Sequence, residues 1–265
     1  MEKCDRCGDP GASFVETDPE CRLGIFMCPK CKLWWDSEKR GEAISRYIVI
    51  GSSPWSTKVY QETICTFPGE WYFLDAPDLD HLRSVKPSLV FFLHYSKKVP
   101  DEIVNGFECV LFHMTDVPFG RGGSPLQNLI TRGLRKTKLT ALRMTSDFDA
   151  GPVYLQKDLC LEGNAEEIYL RATRLAAEMI RQISLERPIP RLQTGDVTVF
   201  KRRRPEESQI STASSLLELH DHIRMLDAEG YPKAFIDFDG FRFEFSRAAL
   251  YSDRIKADVE IRKFI

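Results

Sequence analysis

From Arg46 onward, short apolar runs punctuate the chain: YIVIG (47–51), WYFLD (71–75), LVFFL (89–93), CVLFH (109–113) and TALRM (140–144). Longer mixed connections separate them. A short run that is apolar on both faces suits a strand covered on both sides, and connections long enough for crossovers suit parallel neighbours. The expected class is α/β, with a Rossmann-like, mostly parallel sheet. Ser124-Pro125-Leu126-Gln127 reads as a helix start: serine as N-cap, proline at the first position, glutamine three residues after the cap. Asn164 and Glu167 repeat that logic for a long helix whose apolar face runs through Ile168, Ala172, Leu175, Met179 and Ile183. Residues 185–210 are proline-rich and polar and read as a linker. The chain then closes with a small α+β unit: a helical pattern over 215–226, then AFIDF and FRFEF flanking Asp239-Gly240, a two-residue hairpin signal.

The first forty residues follow another rule. Of eight cysteines, five precede residue 32. CDRC (Cys4, Cys7) and CPKC (Cys28, Cys31) form two C-x-x-C knuckles, the spacing of a four-thiolate zinc ribbon. Each tight knuckle aims two thiolates at one point, and four complete a tetrahedral shell. Such a closed shell is structural, because no coordination position is left for substrate. A rubredoxin-type iron centre is the competing metal, and Cys21 is a possible substitute ligand. The expected organisation is a zinc ribbon over 1–42, a catalytic domain over 43–200 and a C-terminal subdomain over 201–265.

Charge narrows the partners. Lys and Arg number 37, Asp and Glu 39, giving a net charge of −2. No global pull toward nucleic acid or anionic membrane is expected, though a local patch such as Lys201-Arg202-Arg203-Arg204 could reach phosphates or simply be a solvated run. No apolar run approaches the ~20 residues of a membrane helix. The N-terminus is polar and unlike a signal peptide, so a cytoplasmic location is expected.

In open parallel sheets, ligands bind beyond the carboxyl ends of strands. His113 stands at such an end, and Asp149, in TSDFDAGPV, lies just past the next strand. An imidazole beside a carboxylate suits general acid–base work near neutral pH. Gly51-Ser52-Ser53 reads as a turn or a phosphate cradle. His220 and His222, two apart on a helix, face different ways and read as packing or surface residues.

The stretch LFHMTDVPFGRGGSP, with FDAGPV after it, resembles the formyltransferase family that uses 10-formyltetrahydrofolate. That family's first motif is Asn-x-His, a proline-containing loop, then Arg-Gly and a small residue before Pro; it matches at His113, Pro118, Arg121, Gly122 and Pro125. Its second motif, Leu-Asp-x-Gly, matches at Asp149 and Gly151. IRMLDAEGYPKAFIDFDGFRFEF resembles the start of the family's C-terminal domain. The resemblance implies the formyltransferase fold. It implies proton transfer and oxyanion support by His113, with Asp149 orienting it or accepting the amine proton. It also implies folate contacts near Leu93, His94, Thr145 and Asp147, with Arg121, Gly122 and Gly151 of the motifs also on the cofactor side. Leu111 departs from it, standing where the family has an asparagine that donates to the oxyanion. His113, Thr115 or a backbone N–H must then supply that donor. The acceptor expected from the compact C-terminal unit and the lack of basic excess is a nucleotide-linked amino sugar of bacterial surface glycans. Methionyl-tRNA and a non-catalytic binding role are the alternatives, and a homodimer is a possible assembly.

Overall fold

The computed structural model describes residues 2, 11–17, 24–27, 32 and 45–263. Cys4, Cys7, Cys28 and Cys31, the expected zinc ligands, lie outside the described residues, as does Cys21. Between them stands an antiparallel hairpin of β1 (Ser13–Thr17) and β2 (Gly24–Met27), in which Ser13 pairs with Met27. Among the described residues, no cluster of His, Cys, Asp or Glu could hold a metal ion.

The chain divides into two compact units, residues 1–112 with 176–190, and residues 113–175 with 191–265. In the first, β3 (Arg46–Ile50) leads through Ser53 into α1 (Pro54–Glu62). The Ser53 hydroxyl accepts the Ser56 N–H at 3.1 Å, an ordinary N-cap. A Cβ on Gly51 would lie 2.5 Å from that of Ser56 and 2.9 Å from the Leu93 carbonyl oxygen. Gly51 therefore serves close packing within this turn. Then come β4 (Glu70–Leu74), α2 (Leu79–Val85), β5 (Leu89–Phe92), α3 (Asp101–Gly106) and β6 (Cys109–His113). The parallel strands run in the order β4-β3-β5-β6. Ile48, Val49, Ile50, Val90 and Phe91 are buried, as strands covered on both faces require.

The second unit opens on His113. After the two-residue β7 (Arg121–Gly122) comes α4 (Pro125–Thr131). Its cap differs from expectation. Ser124 has φ +50° and gives α4 no side-chain bond; its Oγ accepts the Arg203 N–H instead, at 3.0 Å. Gln127 is buried and donates to Tyr169 and the Met225 carbonyl rather than closing a capping box. Next, β8 (Lys136–Arg143) pairs antiparallel with β9 (Val153–Cys160), a strand the apolar runs did not reveal. Its sequence, VYLQKDLC, is broken in the middle by Gln156, Lys157 and Asp158, and only Tyr154 and Leu159 are buried. The expected mostly parallel sheet is thus mixed, its antiparallel pair being β8 and β9.

Helix α5 (Ala165–Glu186) begins as expected. The Asn164 side chain accepts the Glu167 N–H and the Glu167 carboxylate accepts the Asn164 N–H, both at 2.9 Å. Ile168, Ala172, Met179 and Ile183 are buried on one face. The expected linker is instead ordered structure. Arg191 exchanges two backbone hydrogen bonds with Val153, and β10 (Val199–Phe200) pairs in parallel with β7. Helix α6 (Leu216–Arg224) precedes an antiparallel meander, β11 (Ala234–Phe238), β12 (Phe241–Leu250) and β13 (Ile255–Lys263). Asp239 and Gly240 turn the first hairpin, with φ of +47° and +75°. His220 and His222 bond the Ala248 and Ser208 carbonyls, as packing residues do. No described helix is long and apolar enough to cross a membrane.

Candidate active site

The strand β6 ends on His113, and the turn between β8 and β9 carries Asp149. The second unit brings them together. His113 Nδ1 lies 3.6 Å from Asp149 Oδ1, with side chains 7% and 13% exposed. His113 Nε2 is 2.7 Å from the Gly120 carbonyl oxygen. A carbonyl only accepts, so Nε2 carries the proton and Nδ1 is left facing the carboxylate. At 3.6 Å that pair is too long for a direct hydrogen bond. A third polar atom set against both would bond each of them. Asp149 Oδ2 is occupied by the Gly122 N–H at 2.9 Å, which leaves Oδ1 for chemistry.

Asp149 holds this place at a backbone φ of +53°, a region in which Asp is among the better-tolerated side chains. Two residues on, a Cβ at Gly151 would lie 1.8 Å from the Arg143 carbonyl oxygen. Only glycine lets the turn close that tightly. Gly122, at φ +100°, would place a Cβ 2.6 Å from the Phe200 carbonyl oxygen.

The strap over 191–203 consumes the loop's own donors. The Gly120 and Arg121 N–H groups both donate to the Thr198 carbonyl at 3.0 Å, and the Gly123 N–H donates to the Phe200 carbonyl at 3.2 Å. With the Gly122 N–H on Asp149, no amide from 120 to 123 is free for an oxyanion. Thr115 is fully buried; its hydroxyl donates to the Gly120 carbonyl at 3.3 Å and its carbonyl accepts from Thr140. Its placement is that of a prop under the loop. Thr115 and the amides of 120–123 are thus committed elsewhere, and His113 can donate to an oxyanion only from Nδ1, once that nitrogen has taken up a proton.

The expected folate-contacting residues fall in two places. In the first unit, Leu93 is buried and its carbonyl accepts from Ser56 Oγ at 2.9 Å. His94, at φ +50°, sets its ring edge-on to Trp55, and burial pushes its imidazole down from 6.5 to about 4. In the second unit, Thr145 and Asp147 are exposed, the Thr145 hydroxyl donating to the Asp147 carbonyl at 3.0 Å.

One residue escaped the sequence reading. Gln193 accepts from Arg121 Nε and an Arg121 terminal nitrogen at 3.0 and 2.7 Å. Its amide nitrogen donates to the Asp149 and Gly151 carbonyls, both at 2.8 Å. A glutamine within the polar run RPIPRLQTGDV carries no signal of this. Only the fold puts it against both motifs.

Comparison with known proteins bears on this geometry. Residues 205–262 match the family model described as the methionyl-tRNA formyltransferase C-terminal domain. A methionyl-tRNA formyltransferase of Rhizobium meliloti is 30% identical over 177 residues, covering 63% of this chain and 56% of that protein. The chain thus spans about half the length of this curated relative. A solved methionyl-tRNA formyltransferase from Clostridium thermocellum is 41% identical with a TM-score of 0.76, covering 83% of this chain and all of that one. A sugar N-formyltransferase from Shewanella shares the fold at 14% identity and a TM-score of 0.60, covering 78% of this chain and 98% of the other. With 41% identity across the whole of a solved relative, and both family motifs meeting at one site, the chain belongs to the formyltransferase family.

Proposed function

We propose that this protein moves a formyl group from 10-formyltetrahydrofolate to the amine of methionyl-tRNA. The observation that carries the reading is the His113–Asp149 pair, held 3.6 Å apart with one free nitrogen and one free oxygen facing each other. In the transfer, the amine nitrogen bonds to the formyl carbon and the bond from that carbon to the folate nitrogen breaks. The amine loses one proton and the folate nitrogen gains one. Asp149 Oδ1 and His113 Nδ1 stand where an incoming amine would touch both, so the carboxylate draws off the proton and the imidazole carries it to the leaving nitrogen. With the amine proton on Nδ1, His113 becomes a donor to the oxygen that gains charge, taking the part of the asparagine that Leu111 replaces.

The acceptor differs from the one first expected. Amino sugar was argued from a compact C-terminal unit, but that unit is the part matched as a methionyl-tRNA formyltransferase C-terminal domain. Compactness therefore no longer separates the two acceptors. Phe148, Leu192 and Val199, next to or paired with site residues, are 72%, 83% and 69% exposed. Exposed apolar side chains there suit an aminoacyl group better than a sugar ring bearing hydroxyls. Lys201 and Arg202 on the strap and Arg204 just after it are exposed, as a phosphate backbone would use them. The test offers both acceptors, methionyl-tRNA and a panel of nucleotide-linked amino sugars, with 10-formyltetrahydrofolate. Formylated tRNA with steep salt dependence is expected. A formylated sugar nucleotide with no tRNA product would refute the acceptor.

The two cysteine knuckles remain a zinc proposal. The β1–β2 hairpin supports it, since Met27, adjacent to Cys28, pairs back to Ser13. The boundaries 1–42, 43–200 and 201–265 stay as the proposed domain organisation.

A further inference from the structure

We propose that Gln193 is a positioning residue, whose side-chain amide ties the Arg121 loop to the Asp149–Gly151 turn and so fixes the direction of the Asp149 carboxylate. The proposal rests on the formyl-transfer reading for its kinetic consequence, but not for its structural one.

Four bonds use the amide fully. Its oxygen takes two donors from Arg121, at 3.0 and 2.7 Å. Its nitrogen gives one hydrogen to the Asp149 carbonyl and one to the Gly151 carbonyl, each at 2.8 Å. The orientation of the amide is decided by its partners: guanidinium only donates and carbonyls only accept, so a flipped amide would face four mismatches. Gln193 is itself held from both sides. Two residues before it, Arg191 is locked to Val153 by bonds of 2.7 and 2.8 Å, and after it Thr198 and Phe200 grip residues 120–123.

The turn needs such a tie. Its internal bonds are few: the Thr145 hydroxyl to the Asp147 carbonyl at 3.0 Å, and the Ala150 N–H to the same oxygen at a long 3.5 Å. Residues 145–148 are exposed. Asp149 occupies a left-handed backbone region that relaxes readily once its carbonyl is released. Its carboxylate would then swing away from His113 Nδ1. Arg121, Gln193, Asp149 and Gly122 form a closed ring, in which Gln193 alone touches both motif loops through side-chain bonds to backbone and guanidinium.

The test compares Gln193→Glu, Gln193→Ala, Asp149→Asn and the Gln193→Glu/Asp149→Asn double variant in the full chain. Gln193→Glu keeps size and the acceptor facing Arg121 but loses both N–H donors; Gln193→Ala lacks the added charge. Each Gln193 variant is expected to lower kcat about 10- to 100-fold, the scale of a misplaced catalytic group, with KM for both substrates nearly unchanged. The double variant is expected to be no slower than Asp149→Asn, because Gln193 acts through that carboxylate. Hydrogen–deuterium exchange is expected to quicken at 145–151 and stay unchanged at 136–142. Wild-type kcat in either Gln193 variant, additive losses in the double variant, or unchanged exchange at 145–151 would each overturn the proposal. If the wild-type chain transfers no formyl group, the functional reading falls, and exchange alone decides whether the tie exists.

Discussion

Asp149→Asn separates chemistry from scaffolding. The substitution keeps the shape, and the amide oxygen still accepts the Gly122 N–H now bonded at 2.9 Å. What disappears is the negative charge facing His113. A charge-assisted hydrogen bond contributes ~1.5–3 kcal/mol against ~0.5–1.5 for a neutral one, so the fold should lose about 1 kcal/mol. For a chain of this size that lowers Tm by only about 2–4 °C. The rate should fall much further. A carboxylate about 4 Å from the imidazolium that forms when Nδ1 takes up the amine proton is worth up to about 4 kcal/mol, which is roughly 10³ in rate. That agrees with the ~10²–10⁴ typical of a positioned acid–base group. The assay pairs steady-state formyl transfer with a thermal melt on the same sample. A thousand-fold loss with a nearly unmoved Tm is the expected pair. Wild-type turnover would refute the role of the carboxylate, and loss of activity matched by collapse of Tm would make Asp149 a structural residue only.

Four further outcomes follow from particular contacts. Gly151→Ala puts a methyl 1.8 Å from the Arg143 carbonyl oxygen, so the turn must open; activity should drop more than ~100-fold and stability by about 1–3 kcal/mol, checked by kinetics and denaturant melts. Leu111→Asn restores the family's donor and should leave activity intact or raise it, and abolished transfer would mean that the oxyanion is held otherwise. His94, pushed from 6.5 to about 4 by burial, stays neutral in the fold while the unfolded chain takes up a proton between those values. Stability should therefore fall as pH drops from 6.5 toward 4, and His94→Gln should flatten part of that limb in Tm measured against pH, with His220 and His222, also lowered by burial, acting in the same direction. Elemental analysis of protein purified without chelator should find one zinc per chain, lost in Cys4→Ser/Cys7→Ser.

The parallel strands were legible because double burial leaves unmistakable apolar runs, and β6 carried His113 to its expected place. The Asn164–Glu167 cap and the Asp239-Gly240 hairpin were legible because their bonds are local. Strand β9 was not, since the polar Gln156-Lys157-Asp158 interrupts its apolar residues and only two of its side chains are buried. Ser124 failed as an N-cap because a distant backbone N–H, that of Arg203, claimed its hydroxyl. The strap at 191–203 was read as a linker for a related reason. It is held by backbone bonds to Gly120, Arg121 and Gly123 and by the one side chain of Gln193, and such bonds leave no trace in composition. Gln193 and the exhausted loop amides are visible only in three dimensions. The motif residues themselves were legible through resemblance, and position alone gave His113 and Asp149 no more than a shared crevice.

The most direct measurement is single-turnover formylation of methionyl-tRNA by the wild-type chain beside His113→Ala, with product read by mass spectrometry. Formyl-methionyl-tRNA from the wild type, with the His113→Ala rate down by orders of magnitude, is the predicted result. Equal rates from both, or no formylated product from the wild type with either class of acceptor, would contradict the account.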